Sequence, residues 1–279
     1  MTPEMQRRYD ELLSYIAALE SALVAFSGGV DSTLVLRAAH DALGSNAAAG
    51  TGLSDTYPEE EMQEAREIAA EIGVEFIFVR TMELTDPRYA ANNSQRCFFC
   101  KSELYSRLAD VARERGFTHI LDGTNADDTG DFRPGLRAAH ALGVRSPLAD
   151  LGFTKREIRE LSAALQLRTW DKPSFACLSS RFAYGDPITI EKLKVVARAE
   201  SAMRGLGFRG FRVRHHDAVA RIELPEEDFA RAIELRAEIV AAMQAAGYTY
   251  ASLDLAGFRS GSQNLTLRPA VVAASTVQK

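Results

Sequence analysis

Cysteine is scarce in this chain of 279 residues, which has three in all, and tryptophan occurs once. An odd and small number of cysteines excludes a disulfide framework as the main source of stability, and it leaves metal or sulfur chemistry as the natural use of the thiols. Long apolar runs are also missing. No window approaches the roughly 18 uncharged apolar residues of a membrane-spanning helix. The N-terminal stretch MTPEMQRRYDELLSYIAALESA is charged and helix-like, without the apolar centre of a signal peptide, and is read as the start of a cytoplasmic protein. There is no basic excess, since 33 Lys and Arg stand against 38 Asp and Glu for a net charge of -5. That balance counts against a protein that grips long nucleic acid. The expected partners are therefore small molecules, with no nucleic acid and no membrane. Internal repeats and low-complexity tracts are absent.

What is present is an ordinary globular composition, 46% hydrophobic and 25% charged, long enough for one large α/β domain and a smaller one. Ala22–Phe26 reads as a buried strand, and Asp31–Leu43 carries apolar residues at helical spacing up to a stop at Gly44. Residues 47–53 and Glu75–Val79 read as further strands, with a helix from Pro58 to about Ile72 between them. After an irregular stretch over 81–96, Cys100–Arg115 is helical in pattern and His119–Leu121 is a strand. Thr154 and Glu157 have capping-box spacing. Strands alternating with helices predict a doubly wound, mainly parallel sheet, in which ligands bind at the carboxyl ends of the strands. The texture changes after Tyr184-Gly185-Asp186-Pro187. A helix capped by Thr189, short strands at Phe211–His216 and Val219–Leu224, a helix from Pro225 to about Ala246 and a strand at Tyr250–Leu255 predict a smaller α+β domain. The expected division is 1–185 and 186–268, followed by a loose tail over 269–279.

The clearest motif follows the first strand. Ser27-Gly28-Gly29 lets the backbone turn tightly and aim several N–H groups at one anion, and the helix after it adds the positive end of its dipole. Ser27, Ser32 and Thr33 supply hydroxyl donors around Val30, and Asp31 suits a site where Mg²⁺ accompanies phosphate. The Gly-Lys-[Ser/Thr] ending of a Walker A loop is absent. After the fourth strand, Asp122-Gly123-Thr124-Asn125 leads into a long loop. Asp127, Asp128 and Asp131 are candidates for Mg²⁺ and Arg133 for phosphate, against the plain alternative of a solvated acidic loop.

Cys97 and Cys100 form a CxxC ending in Lys101, and Cys177 stands alone in Ala176-Cys177-Leu178-Ser179-Ser180-Arg181. A three-thiolate metal site, a zinc site with a further ligand, a redox pair, a persulfide on Cys177 and unrelated thiols are all open on spacing alone. In the smaller domain Arg212, Arg214 and His216 share one strand face. Two arginines side by side call for an anion or a carboxylate between them, and the alternative to phosphate is a solvent-facing strand surface paired with Glu223 across a hairpin. Arg221 and Glu223 share a face of the next strand. Arg259, in a glycine-flanked loop, is a further candidate for the ligand.

SGGVDST at 27–33 resembles the signature of the PP-loop ATP pyrophosphatases, which cleave ATP between its α and β phosphates and pass through an adenylate. SGGVDSTLVL, RCFFCK, DGTNADD, FRPGLRAA, CLSSRFAYG, FRVRHHDAVARIELPE and LDLAGFRSG together resemble the LarE family of sulfurtransferases in nickel-pincer cofactor synthesis, over about residues 20–265. That resemblance implies ATP and Mg²⁺ as cofactors and adenylation of a carboxylate of pyridinium-3,5-biscarboxylic acid mononucleotide, followed by its conversion to a thiocarboxylate. It implies Arg212 and Arg214 at the substrate phosphate, Ser180 and Arg181 near the site, and Glu200 and Glu223 as candidate carboxylates for a divalent ion. Gly123, Thr124, Asp127 and Arg133 join the cradle residues on the nucleotide. The candidate catalytic residues are Cys97, Cys100, Cys177, Asp31, Lys101, Ser180 and Arg181. Some members carry a single cysteine and sacrifice its sulfur, and that cysteine lies three places before Ser-Ser-Arg. Here Ala176 has that place and Cys177 follows. The three cysteines instead resemble the branch whose [4Fe–4S] cluster holds an extra sulfide. The resemblance also implies a homo-oligomer, a hexamer. A tRNA-thiolating PP-loop enzyme and a nucleotide sensor without chemistry are the competing readings.

Overall fold

The apolar run at Ala22 forms strand β1 (Ala22–Ala25), an inner strand of a four-stranded sheet in the computed structural model. The structure describes residues 1–259 except 55, 58, 131–133 and 174–175. β2 (Ala47–Leu53) and β4 (His119–Leu121) flank β1, and β3 (Glu75–Arg80) lies outside β2, so the order is β3-β2-β1-β4. Every pairing in this sheet is parallel, as the alternation of strands and helices requires. The helices of this part are α1 (Pro3–Ala17), α2 (Val30–Leu43), α3 (Glu59–Ile72), α4 (Pro87–Ala90), α5 (Arg96–Arg115), α6 (Pro134–Ala141), α7 (Pro147–Asp150) and α8 (Lys155–Ala164).

Successive strand residues face opposite sides, and the two cores show it. Ala22 and Val24 pack with Leu12 of α1, Leu34 of α2, Ile68 of α3 and Leu161 of α8. Leu23, between them, packs on the other face with Tyr105 and Leu108 of α5 and Ala139 of α6. The sheet is therefore doubly wound. β2 is built from small residues because α5 lies close: a Cβ on Gly50 would sit 2.6 Å from Leu108 Cδ2, and one on Gly52 would sit 3.0 Å from Leu104 Cδ1. Close seating of α5 fixes the direction in which its N-terminal turn, with Cys97 and Cys100, is presented. That helix begins at Arg96, one turn earlier than the pattern suggests.

The second sheet has the order β5-β6-β7, from β5 (Arg212–His216), β6 (Val219–Glu223) and β7 (Tyr250–Leu253). β5 and β6 are antiparallel, whereas β6 and β7 are parallel. α9 (Ile190–Gly205) and α11 (Arg236–Ala246) contribute Ala199, Met203 and Met243 to a core with Val213, Ala220 and Ile222. The alternate strand residues, in the rows Arg212–Glu223 and Arg214–Arg221–Ser252, form the polar face. The single helix expected from Pro225 becomes a 3₁₀ turn at Glu226–Asp228, then α10 (Phe229–Glu234) and α11, with a break at Leu235. Thr189 caps α9 and Thr154 caps α8, the latter with a complete capping box to Glu157.

The chain divides into two compact units, one of residues 1–89 and 95–175, the other of Ala90–Ser94 and the chain from Ala176 onward. The boundary thus lies before Cys177, upstream of the Tyr184-Gly185 break in composition. The segment after Cys177 belongs to the second unit through its bonds: Arg181 pairs with Glu200 of α9, and Phe182 bridges to His215 of β5. Ala90–Ser94 joins it through Asn92, which is buried at φ 52°. Its Nδ2 donates to the carbonyls of Ala183 at 2.7 Å and Asp186 at 3.0 Å, while Gly185 N–H donates to the Asn92 carbonyl at 3.0 Å. Asparagine is among the residues that tolerate this left-handed backbone. Among the described residues no helix is long and apolar enough to cross a membrane.

Candidate functional site

In the first unit, the loop after β1 turns through Gly28 at φ 68° into α2, with Gly29 as the N-cap. A Cβ at Gly28 would come within 3.2 Å of Ala65 Cβ on α3, so glycine is needed for both the angle and the approach. Ser32 Oγ accepts from Ser27 N–H at 3.3 Å and donates to Gly29 O at 3.1 Å, which closes the loop on itself. Thr33 is fully buried and its hydroxyl donates to Gly29 O at 2.9 Å, so it holds the loop from inside instead of facing an anion. Val30 is buried beneath the loop and Ser27 is exposed at its rim. The first-turn N–H groups of α2 have no acceptor within their own helix, and they open at the carboxyl end of the sheet. Tyr57 O–H donates to Ser27 O at 2.6 Å, tying the segment after β2 to the same loop.

Gly123 abuts the cradle from behind. A Cβ there would lie 2.7 Å from Ser32 N and 3.0 Å from its Cα. Asp122, buried just before it, accepts from Tyr105 O–H at 3.0 Å, Ser146 Oγ at 2.7 Å and Thr124 Oγ1 at 2.9 Å, which fixes the start of the loop.

Asp31 is half-buried and receives the Lys155 ammonium at 2.7 and 2.6 Å, with Asn125 Nδ2 at 3.3 Å. Lys155 N–H in turn donates to Asp127 Oδ2 at 2.7 Å. Asp128 accepts from Asn125 N–H at 3.2 Å. Lys155 was not singled out from the sequence, although a signal was there. It is the first residue of α8, where the helix dipole disfavours a cation, and a lysine held there points to a carboxylate or anion opposite. Asp131 and Arg133 lie outside the described residues.

Cys97 and Cys100 stand one turn apart at the N-terminal end of α5, the first exposed and the second half-buried. Such an i, i+3 pair of soft donors fits a thiophilic metal. Cys177 is half-buried and belongs to the second unit. Among the described residues no group of three His, Cys, Asp or Glu converges as a metal site. Lys101 extends over Tyr105, its Nζ 5.3 Å from the ring centroid. The lysine pKa is raised, first by Tyr105 and then by Cys100, Asp122 and Cys97, so it stays an ammonium beside the thiols. Burial pushes the Tyr105 phenol up to about 12.

In the second unit the arginines of β5 are buried, not spread on a solvent-facing strand. Arg214 donates to Glu223 Oε2 at 2.9 Å and to Ser180 O at 2.6 Å. Arg212 lies 5.0 Å from the Phe258 ring centroid and donates to Phe211 O at 2.7 Å. Burial, then Arg181 and Arg214 nearby, lower the Arg212 pKa to about 10. The shift reflects a buried guanidinium with two other arginines close by. Arg181 donates to both oxygens of Glu200 at 2.8 Å, and Val213 N–H reaches Glu200 Oε1 at 3.0 Å. Glu223 Oε1 lies 3.3 Å from Arg221. Glu200 and Glu223 therefore act here as counter-ions to arginine. His216 and Arg259 are exposed.

A family model described as NAD synthase matches residues 5–115, the span of the cradle and of α5. An uncharacterized protein of Synechocystis, slr1717, is 45% identical over 266 residues, covering 94% of this chain and 99% of its own. The pyridinium-3,5-bisthiocarboxylic acid mononucleotide synthase of Lactiplantibacillus plantarum is 38% identical over 263 residues, covering 94% of this chain and 95% of its own. An uncharacterized protein of Methanocaldococcus jannaschii, MJ0830, is 31% identical over 169 residues, covering 61% of this chain and 66% of its own. With a PP-loop cradle at the head of a doubly wound sheet and that synthase matched along nearly its whole length, the chain belongs to the LarE family of PP-loop proteins.

Proposed function

We propose that this protein is an ATP-dependent sulfurtransferase acting on pyridinium-3,5-biscarboxylic acid mononucleotide in nickel-pincer cofactor synthesis. The carrying observation is the cradle of Ser27–Ser32 opening at the carboxyl end of β1, where the α2 N-terminus and loop N–H groups suit a polyphosphate. A substrate carboxylate oxygen attacks the α-phosphorus and pyrophosphate leaves. A sulfur nucleophile then adds to the acyl carbon, AMP departs with the carboxylate oxygen, and a thiocarboxylate remains. The cradle receives the departing pyrophosphate, and the first-turn N–H groups of α2 stabilise its growing charge. Lys155 stands where it can exchange its pairing with Asp31 for one with phosphate, freeing the carboxylate for Mg²⁺. Arg212 and Arg214 take the phosphate of the mononucleotide; in support, the two arginines are buried at alternate positions of one strand, on the same face.

Cys97, Cys100 and Cys177 are assigned as ligands of a [4Fe–4S] cluster. In support, they are the chain's only cysteines and two of them share one helical turn. Held by three thiolates, such a cluster would supply an open coordination position for a sulfur nucleophile. Lys101 keeps positive charge beside the CxxC thiolates. The functional assembly is assigned as a homo-oligomer, a hexamer, to be read by native mass spectrometry.

The test is pyrophosphate release with ATP alone, with the mononucleotide added and with tRNA added, on protein prepared anaerobically and assayed for iron and labile sulfide. Release stimulated by the mononucleotide, with thiocarboxylate formed, supports the assignment. Stimulation by tRNA alone, or none by either, overturns it. A colourless, iron-free protein that still makes one thiocarboxylate per chain and loses the Cys177 sulfur overturns the cluster while leaving the adenylation in place.

A further inference from the structure

The turn that carries Cys177 is held by a guanidinium at each end. At one end lies Arg181, whose side chain is 1% exposed. Its Nη1 donates to the carbonyl of Ala176 at 2.6 Å, to that of Cys177 at 3.1 Å and to Ser180 Oγ at 2.9 Å. Its other two nitrogens form a planar fork on Glu200, each at 2.8 Å. At the other end Arg214 Nη1 donates to Ser180 O at 2.6 Å. Between the two, Ser180 N–H closes the turn on Cys177 O at 3.0 Å. Glu200 also accepts from Val213 N–H, so the carboxylate that aims Arg181 is fixed to the strand between Arg212 and Arg214. Arg181 and Arg214 are thus each paired with a buried carboxylate, Glu200 and Glu223 respectively.

From these contacts we propose that Arg181 and Glu200 are positioning residues that couple anion binding at Arg212 and Arg214 to the presentation of the Cys177 thiol. This rests on the phosphate assignment made above. A phosphate is a stronger partner for Arg214 than the neutral carbonyl of Ser180, since charge-assisted hydrogen bonds are roughly twice as strong as neutral ones. When phosphate arrives, Arg214 turns to it and Ser180 O is released. The turn then loses one of its two guanidinium anchors and keeps Arg181, and Cys177, bonded through Ser180 N–H, changes its exposure. The thiol thus responds to the substrate's phosphate.

The test uses full-length protein with Cys97→Ala and Cys100→Ala, so that Cys177 is the single thiol, and inorganic phosphate as the probe. Phosphate binding is measured by calorimetry, and Cys177 is followed by its rate of alkylation with iodoacetamide. The expected result is that phosphate binds and raises the alkylation rate several-fold. With Arg181→Lys, which keeps the charge but loses the fork, phosphate should still bind while the alkylation rate no longer responds to it. A buried pair is costly to disturb, so amide hydrogen exchange over residues 178–182 of the wild-type protein, with and without phosphate, gives a second readout that needs no variant. Phosphate that binds while leaving both alkylation and exchange unchanged overturns the coupling alone. No phosphate binding overturns the anion assignment, and the coupling with it.

Discussion

Replacing Gly123 with alanine tests the cradle by adding one methyl group while removing no hydrogen-bond donor or acceptor. The added Cβ would stand 2.7 Å from Ser32 N, 3.0 Å from Ser32 Cα and 3.1 Å from Asp31 C. Ordinary contacts begin near 3.4 Å, so either the loop after β4 or the first turn of α2 must retreat by about 0.5–1 Å. The loop is held by the several bonds to Asp122, while α2 is held by its buried apolar face, and neither moves freely. Overpacking of this kind costs about 1–3 kcal/mol. Whatever displacement follows is delivered at Asp31 and Ser32, and a misplacement of about 1 Å can cost on the order of 10²-fold in rate. The expected outcome is a modest fall in melting temperature and a far larger fall in pyrophosphate release. Gly205→Ala is the control, since nothing lies within 4 Å of its Cβ position; it should be neutral or slightly stabilising. Wild-type release from Gly123→Ala, or a fall no greater than that of Gly205→Ala, would refute the view that this contact sets the cradle's position.

Asp31→Ala and Ser32→Ala should each abolish adenylation with little change in melting, because the loop holds charge and is not a core; normal pyrophosphate release from either would contradict this. Arg212→Ala and Arg214→Ala should weaken mononucleotide binding by roughly 1.5–3 kcal/mol, about 10- to 150-fold, with ATP binding far less affected, as paired titrations would show. His215 gives a pH signature. Burial lowers its pKa, so in the folded protein its neutral imidazole, 3.1 Å from Tyr248 Oη, persists where the unfolded chain is already protonated. The unfolded state binds more protons below about pH 6.5, so this contribution to stability is present above that value and is lost as pH falls from there through the lower folded-state pKa. Denaturant midpoints measured from pH 7.5 to 5 should fall less steeply in His215→Gln than in wild type, and parallel profiles would remove His215 from the account.

Much of this was legible in the sequence, for physical reasons. Short apolar runs ending in Gly or Asp could only be buried strands, so the parallel sheet and the place of Ser27–Ser32 followed from periodicity and turn chemistry. Thr154 and Glu157 announced the start of α8 by their spacing alone. What periodicity does not encode is the partner of a polar side chain. Lys155 meeting Asp31, Arg181 meeting Glu200 and Thr33 turning inward each depend on where a distant element is packed. The boundary before Cys177 escaped notice for the same cause, since composition shifts at Tyr184-Gly185 while the bonds of Arg181 already belong to the later unit.

The small loop at Ala90–Ser94 sets an order of events during synthesis. Asn92 is made early, but the carbonyls it holds, at Ala183 and Asp186, follow about 90 residues later. At ribosomal speeds of about 5–20 residues per second, that is a wait of roughly 5–20 s. Throughout it, β1, β2, β3 and α2 are already available, while the stretch leading into Arg96 and Cys97 has its anchor still to come. The segment preceding the CxxC motif therefore waits for its anchor until residues of the second unit are made. A chain cut at residue 185 would keep the Ala183 and Gly185 bonds to this loop and lose those of Asp186 and Ile188.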